Sequence, residues 1–595
     1  MEEFFKHVAS TVVGLFVFGV IMTVLTFVCI AGMALGTSSS PSLESNSVLV
    51  LQLSGALPEQ ATQEMDLSLT GMSSLNQPGL NTTLSAIKKA QTDDRIKGIY
   101  LETGDIDAEY ATLQQVRKAL ADFRKSGKWV IAYDDHYGQE GYYLASVADK
   151  VYMNPEGELD WHGLGSMAYY VKDLAAKFGV TYNIIKVGKF KSATEMFTED
   201  KMSDANREQV TKYVQTTWQQ ILSDVAASRS ISKDSLNKYA DGLVALEENK
   251  QLVARKMIDG FCYYDEIKNV VKKQLGIEAD KEICQVTVDD MNAAVADETS
   301  GDEIAVYYCE GEISSNLPKG LGATRAAIVS HEVISGLEAL AQDDNVKAVV
   351  LRVNSPGGEA YASEQIWRAV KQLDQKKPVV VSMGDYAASG GYYMSSGARY
   401  IIAEPTTLTG SIGIFGVLRD VSDLLNQKLG VKFDEVKTNR NSLFGTANFT
   451  RHMNDEEVTA LQAYVNRGYT LFRKRVADGR KMKVEDVEKI AQGRVWTGAD
   501  AKGIKLVDAL GGLDEAIAKA AELAKVENYH KTDYPLPPSK MDQILSSVTG
   551  AGKGTYLDEQ MHLLLGDLYQ PLMTVRQWDG KATIQASLPY ILEIH

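Results

Sequence analysis

Apolar residues in this chain fall into short runs bounded by polar turns. SVLVLQLSG from Ser47, IKGIYLE from Ile96 and WVIAYDD from Trp129 are followed much later by EIAVYYCEG from Glu303, VKAVVLRV from Val346 and PVVVSM from Pro378. Runs of this length, rich in Val, Ile and Tyr, predict buried strands. Between them lie segments with apolar residues at helical spacing, such as ATLQQVRKALADF from Ala111 and ASEQIWRAVKQL from Ala362, and residues 206–226 and 455–477 carry the same 3.6-residue period. Strands alternating with helices predict parallel βαβ units, hence an α/β fold.

The pattern occurs twice. QTDDRIKGIYLE from Gln91 answers AQDDNVKAVVLR from Ala341, GYYLAS from Gly141 answers GYYMSS from Gly391, and Pro155 stands to Pro405 as these do, all at an offset of 250. A shared offset of that size marks a duplicated domain, since solenoid units are far shorter. The expected organisation is a first repeat over residues 48–300, a second over 301–535, and a tail over 536–595 with no counterpart in the first copy.

Ahead of the repeats, residues 8–35 contain no charged side chain and are rich in Val, Phe, Leu and Ile. As a helix these residues would reach about 42 Å, longer than the roughly 30 Å hydrocarbon core and too long for the apolar part of a cleaved signal peptide. A transmembrane anchor is expected there, preceded by a short cytoplasmic segment over residues 1–7 and followed by a Ser-rich linker over 36–47. Lys6 precedes the stretch and no Lys or Arg follows before Lys88, so the positive-inside bias puts the body of the protein outside the cytoplasm.

Composition narrows the chemistry. The net charge of −16, with no basic stripe interleaved with aromatics, argues against a nucleic-acid partner. The histidines are scattered, and there is no C-x-x-C pair and no H-E-x-x-H, so neither a metal site nor a cofactor is expected. Cys262, Cys284 and Cys309 outside the apolar stretch define no disulfide framework.

Candidate chemistry appears when the copies are compared. In the second, strand VVLRV leads into Asn354, Ser355, Pro356, Gly357 and Gly358, and strand VVVSM leads through Gly384 to Ala387, Ala388, Ser389, Gly390 and Gly391. Gly-rich turns at the carboxyl ends of neighbouring strands are where α/β proteins place active sites. There, backbone N–H groups can face a developing oxyanion and a Ser at a strand-to-helix turn can point outward for attack. The first copy has Asp107 and Ala108 in place of the Gly pair and Gln139 in place of Ser389. It has instead V-G-K-F-K-S-A (residues 187–193), where an offset slipped to 251 sets Lys191 against Ser442. Each signal alone is weak, because Gly-Gly turns and surface lysines are common; their complementarity gives them weight. A phosphate loop in G-S-I-G-I-F-G is excluded by the missing G-x-x-x-x-G-K-[ST] order.

These residues resemble the signal peptide peptidase SppA (protease IV) family in its long, membrane-anchored bacterial form. The resemblance rests on L-R-V-N-S-P-G-G (351–358), S-M-G-x-x-A-A-S-G-G-Y (382–392), T-G-S-I-G-I-F-G (409–416), V-G-x-x-K-S-A (187–193) and A-Q-G-R-V-W-T-G (491–498). It implies tandem Clp-protease/crotonase-like domains of ββα units. It further implies Ser389 as nucleophile, Lys191 as general base, Ser411 as the residue that orients the lysine, and backbone N–H groups of Gly358 and Gly390 as the oxyanion hole. The substrates would be cleaved signal peptides and other apolar peptides, at the extracytoplasmic face of a bacterial inner membrane, with no metal or nucleotide. The resemblance also implies a homotetramer whose sites are shared by neighbouring chains. Two other functions compete: a crotonase-like acyl-transfer enzyme, which needs neither the Ser–Lys pair nor an anchor, and a catalytically altered scaffold, which would have lost one of them. Ile414, Phe415 and Tyr392 are read as core.

Overall fold

The computed structural model describes residues 42–66, 73–316, 327–536 and 585–587, with positions 6, 14 and 17–19 ahead of them. The expected anchor over residues 8–35 therefore lies almost entirely outside the described residues, as does most of the tail over 536–595. No helix among the described residues is long and apolar enough to cross a membrane.

Each repeat is built on a sheet of parallel strands, with one antiparallel pair, Leu408–Gly410 with Val495–Thr497, at the edge of the second. In the first, the strand order is Gly260–Phe261, Lys150–Leu159, Trp129–Tyr137, Ile96–Glu102, Ser47–Gln52 and Gln285–Val286. In the second it is Val495–Thr497, Leu408–Gly410, Val379–Ala388, Val346–Ser355, Asp302–Glu310 and Tyr529–Tyr534, with Tyr400–Ala403 and Ala509–Leu510 branching from Val379–Ala388. Each repeat brings a late strand back beside its first: Val48 pairs Gln285, and Asp302 pairs Tyr529. The continuous apolar runs follow from cover on both faces; Ile304 and Val306 enter one cluster while Ala305 and Tyr307 enter another.

The long amphipathic segments form helices Asp204–Arg229 and Asp455–Arg480. Ser203 and Asn454 accept from the backbone N–H groups of Asn206 and Glu457, satisfying donors that the first turn leaves free. Both helices stop at a left-handed residue, Ser230 and Lys481. The helix expected from Ala111 spans Tyr110–Lys125, and the one from Ala362 spans Ala360–Lys376.

A third sheet joins the repeats. Its order is Ala327–Val329, Glu312–Ser314, Gly357–Glu359, Gln585–Ser587, Phe415–Asp420 and Thr181–Lys186. The last strand belongs to the first repeat and pairs antiparallel with Phe415–Asp420 of the second, from Lys186 opposite Phe415 to Thr181 opposite Asp420. That ladder carries the first repeat's chain to the second repeat's Gly-rich turns.

Buried polar contacts reinforce the junction. Arg352, fully buried, donates to both carboxylate oxygens of Glu59 at 2.8 Å. Asp385 accepts from the backbone N–H and the hydroxyl of Thr112 at 2.7 and 2.6 Å; burial pushes its carboxyl up to about 6. Removing one partner of a buried ion pair leaves the other charge without compensation. Glu59→Ala is therefore expected to destabilise the chain by about 3–5 kcal/mol, read as a fall in the denaturation midpoint, whereas Lys88→Ala, an exposed partner of Asp514, should change it by less than about 1 kcal/mol.

Candidate active site

Ser389 ends the strand Val379–Ala388 and precedes the helix Gly390–Ser395. Its backbone is held at φ 53° and ψ −110°, a strained conformation for a residue with a Cβ. Two bonds fix it there: Ser389 N–H donates to Gly410 O at 2.9 Å, and Tyr393 N–H donates to Ser389 O at 2.8 Å. This is the geometry of a strand-to-helix elbow that turns a hydroxyl out of the sheet.

Lys191 reaches the same point from the first repeat. Five residues after the Thr181–Lys186 strand, its Nζ lies 2.8 Å from Ser389 Oγ, 2.9 Å from Ser411 Oγ and 3.3 Å from Ser411 O. Lys191, Ser389 and Ser411 are all fully buried. Burial drives the Lys191 amine well below the ordinary lysine range, because a desolvated ammonium is costly. Ser411 is held at φ 49°, with its N–H donating to Arg494 O at 2.7 Å.

The structure brings together Ser389, Lys191, Ser411 and Gly390, and packs the strand that carries Gly358 against the helix Gly390–Ser395. Gly390 opens the helix after Ser389, so its N–H is one of those the first turn leaves unpaired within the helix. Gly358 sits in the strand Gly357–Glu359, opposite Ile313. Its φ is +154°, and a Cβ there would stand 2.1 Å from Ile313 O; no other residue can come so close to the neighbouring strand.

Lys191 and Ser389 meet within one chain. The resemblance implied sites shared by neighbouring chains; within this chain the Thr181–Lys186 ladder delivers the lysine to its own serine. The first copy's counterpart of Ser389 has a structural role. Gln139 is buried, donating to Tyr110 Oη and Gly163 O and accepting from the N–H groups of His162 and Gly163. Asp107 lies in the short strand Ile106–Asp107 and Ala108 follows it. Ser442 lies in an exposed turn, bonded to Asn439. Ile414, Phe415 and Tyr392 are buried, and Phe415 also lies beneath the lysine, its ring centroid 5.7 Å from Nζ.

Two residues were missed from sequence. Gln209, buried on helix Asp204–Arg229, donates to Phe190 O at 3.0 Å and accepts from Val495 N–H at 3.2 Å, tying the lysine loop to the A-Q-G-R segment. Gly493, in that segment, has φ +80°, and a Cβ on it would lie 2.7 Å from both N and Cβ of Lys191. The A-Q-G-R motif pointed to the neighbourhood; nothing in its spacing linked it to Lys191. Among the described residues, no group of His, Cys, Asp and Glu side chains could hold a metal ion.

Fold and site together define a serine peptidase built from tandem Clp-like α/β domains. The Peptidase family S49 model matches residues 122–278 and 371–527, one match in each repeat, and the Clp protease model matches 321–410. The chain belongs to peptidase family S49, on the SppA (protease 4) side of it. It is 36% identical to "Protease 4" of Salmonella typhi over 562 residues, covering 91% of this chain and 89% of that one. It is 34% identical to "Protease 4" of Haemophilus influenzae, covering 84% and 83%. It is 30% identical to "Serine protease SPPA, chloroplastic" of Arabidopsis thaliana, covering 88% and 76%.

Proposed function

We propose that the chain is a membrane-anchored endopeptidase in which Ser389 is the nucleophile and Lys191 the general base, acting on apolar peptides such as cleaved signal peptides. The observation that carries this reading is a fully buried amine 2.8 Å from a serine hydroxyl on a strained elbow. A lysine in water holds its proton to a pH of about 10.4; one whose pKa is driven well down by burial can be neutral when it is needed as a base.

The steps follow from the geometry. Neutral Lys191 accepts the Ser389 hydroxyl proton as Oγ attacks the scissile carbonyl carbon, and the resulting oxyanion receives hydrogen bonds from the N–H groups of Gly358 and Gly390. The C–N bond then breaks as Lys191 returns the proton to the departing amine. In the second half, water gives a proton to Lys191 as its oxygen attacks the acyl–Ser389 ester, and Lys191 passes that proton to the departing Ser389 Oγ as the acid is released, restoring both residues. Ser411 accepts from the remaining Lys191 N–H, so the lone pair is aimed at Ser389 and not elsewhere.

Anchoring by residues 8–35 would keep this chemistry at the membrane surface, on the extracytoplasmic side, where apolar peptides are released. Supporting that part is the uncharged run itself. The test is to incubate detergent-solubilised full-length chain with an apolar signal-peptide sequence and analyse the products by mass spectrometry. Internal cleavage that disappears in Ser389→Ala supports the reading; cleavage that persists there refutes it. An acyl-CoA substrate turned over in place of the peptide would favour the crotonase-like alternative.

Ser411→Ala separates orientation from chemistry. It should lower kcat about 10- to 100-fold with little change in KM. It should also move the acid limb of the pH–rate profile to lower pH, because removing an acceptor from the amine disfavours its charged form. A variant with reduced kcat and an unmoved acid limb would assign Ser411 to packing alone.

A further inference from the structure

A groove of about 340 Å³ lies between the repeats, and no active-site residue lines it. Its apolar walls are Leu84 and Ile87 on helix Leu80–Thr92, Ala119 on helix Tyr110–Lys125, and Leu513 at the start of the second repeat's helix Leu513–Ala524. Glu404 lines it too, although only 6% exposed. Among the described residues, no donor reaches the buried Oε1 of this carboxyl. Buried polar atoms are almost always hydrogen-bonded, which sets Glu404 apart.

The duplication shows what differs here. At the offset of 250 the first copy has Asn154 and Asp135 where the second has Glu404 and Asp385. Asn154 donates to Asp135 at 2.9 Å. The second copy has a carboxyl in place of that amide donor, and Asp385 accepts from Thr112 instead. Gly512, another lining residue, leaves room for Glu404: a Cβ there would stand 2.6 Å from Oε1. The charges facing the carboxyl are Arg352 and Asp385 from the sheet and Lys118 and Glu515 from the two helices. Arg352 is engaged by Glu59, and Lys118 by Asp122 and Glu515 at 3.2 and 3.0 Å. The other lining lysines, Lys88 and Lys125, pair with Asp514 and Asp122.

We propose that this groove binds a primary ammonium on a short apolar body, the ammonium donating to Glu404 and the body lying against Leu84, Ile87 and Leu513. An ammonium has three donors and no acceptor, the complement of a carboxyl whose neighbouring cations are engaged elsewhere. The free N-terminus of an apolar peptide has this chemistry, and so does a simple aliphatic amine. Because the walls come from both repeats, the bound molecule ties together the halves that supply Lys191 and Ser389, and it stabilises the folded chain by mass action. Burial pushes the Glu404 carboxyl up to about 7. Binding needs its charged form, so affinity should fall towards tenfold per pH unit below about pH 7.

The experiment is calorimetric titration of detergent-solubilised full-length Ser389→Ala chain, which cannot consume a peptide, with leucyl-leucinamide, its N-acetyl derivative and n-butylammonium chloride. At about pH 7.5, below the ordinary α-amino pKa, an ammonium probe is expected to bind with Kd on the order of 1 mM. The acetylated peptide should bind at least about tenfold more weakly. Adding Glu404→Gln should weaken ammonium binding at least about tenfold without lowering the unfolding midpoint, because the amide has no charge to bury. Binding of leucyl-leucinamide alone assigns the groove to peptide N-termini; binding of n-butylammonium with similar affinity assigns it to aliphatic amines in general. No saturable binding by either amine, equal binding of the acetylated peptide, or unchanged affinity in Glu404→Gln overturns the proposal.

Discussion

Lys191→Met is expected to lower kcat/KM for peptide hydrolysis at least about 10³-fold while making the folded chain more stable. Methionine fills the same fully buried volume without an amine to desolvate. In the native chain the folded-state pKa of Lys191 is depressed, so folding requires either burying an ammonium or releasing its proton. The penalty is full below the folded pKa and shrinks as pH rises towards the unfolded value near 10.4. The stability gained by methionine should follow: about 1–3 kcal/mol in acid buffer, diminishing as pH rises through the depressed folded pKa towards the unfolded one, as measured by denaturant unfolding across pH. The same depressed pKa gives the native enzyme an acid limb, with activity lost as Lys191 takes up its proton. A lysine kept only for structure would show the opposite result, a destabilised variant with hydrolysis intact.

The second large effect is expected at a residue that touches no substrate. Gly493→Ala puts a methyl group 2.7 Å from the backbone nitrogen and Cβ of Lys191, at a residue held at φ +80°. Neither atom is the end of a flexible side chain, so the lysine loop has to move. Displacement of about 1 Å at a reacting group costs on the order of 100-fold in rate, and a non-glycine residue at that φ adds about 1–3 kcal/mol of strain. Steady-state kinetics should therefore show a kcat loss of about two orders of magnitude together with a lowered unfolding midpoint. Gly503→Ala, at a glycine with open space around its Cβ position, should show neither.

Much of this site could be read from the sequence, for a physical reason. Strands buried on both faces appear as unbroken apolar runs, and a duplicated α/β domain repeats those runs in register; comparison of the copies isolated Ser389 and the Gly357–Gly358 pair in one and Lys191 in the other, while Gly390 and Ser411 came from the family resemblance. The slip from 250 to 251 ahead of Lys191 was visible as well. What could not be read was the meeting of the two halves. Thr181–Lys186 reads TYNIIK, with little alternation, and its partner Phe415–Asp420 lies more than two hundred positions away. Periodicity describes a strand's own faces and says nothing of the neighbour it will choose, so the sequence left open whether the lysine would meet its own chain's serine. Gln209 and the Arg352–Glu59 pair were hidden for the same reason: each depends on a tertiary approach, and a buried Gln on an amphipathic helix has no local signature.

The central claim is that Lys191 activates Ser389 inside one chain. It is tested most directly by the rate at which a serine-reactive fluorophosphonate labels the native chain, Ser389→Ala and Lys191→Met, with the modified residue located by peptide mass spectrometry. The account predicts one label per native chain on Ser389, none in Ser389→Ala, and labelling slowed at least about 10³-fold in Lys191→Met. Labelling of Lys191→Met at the native rate, or a label found on another serine, would contradict it.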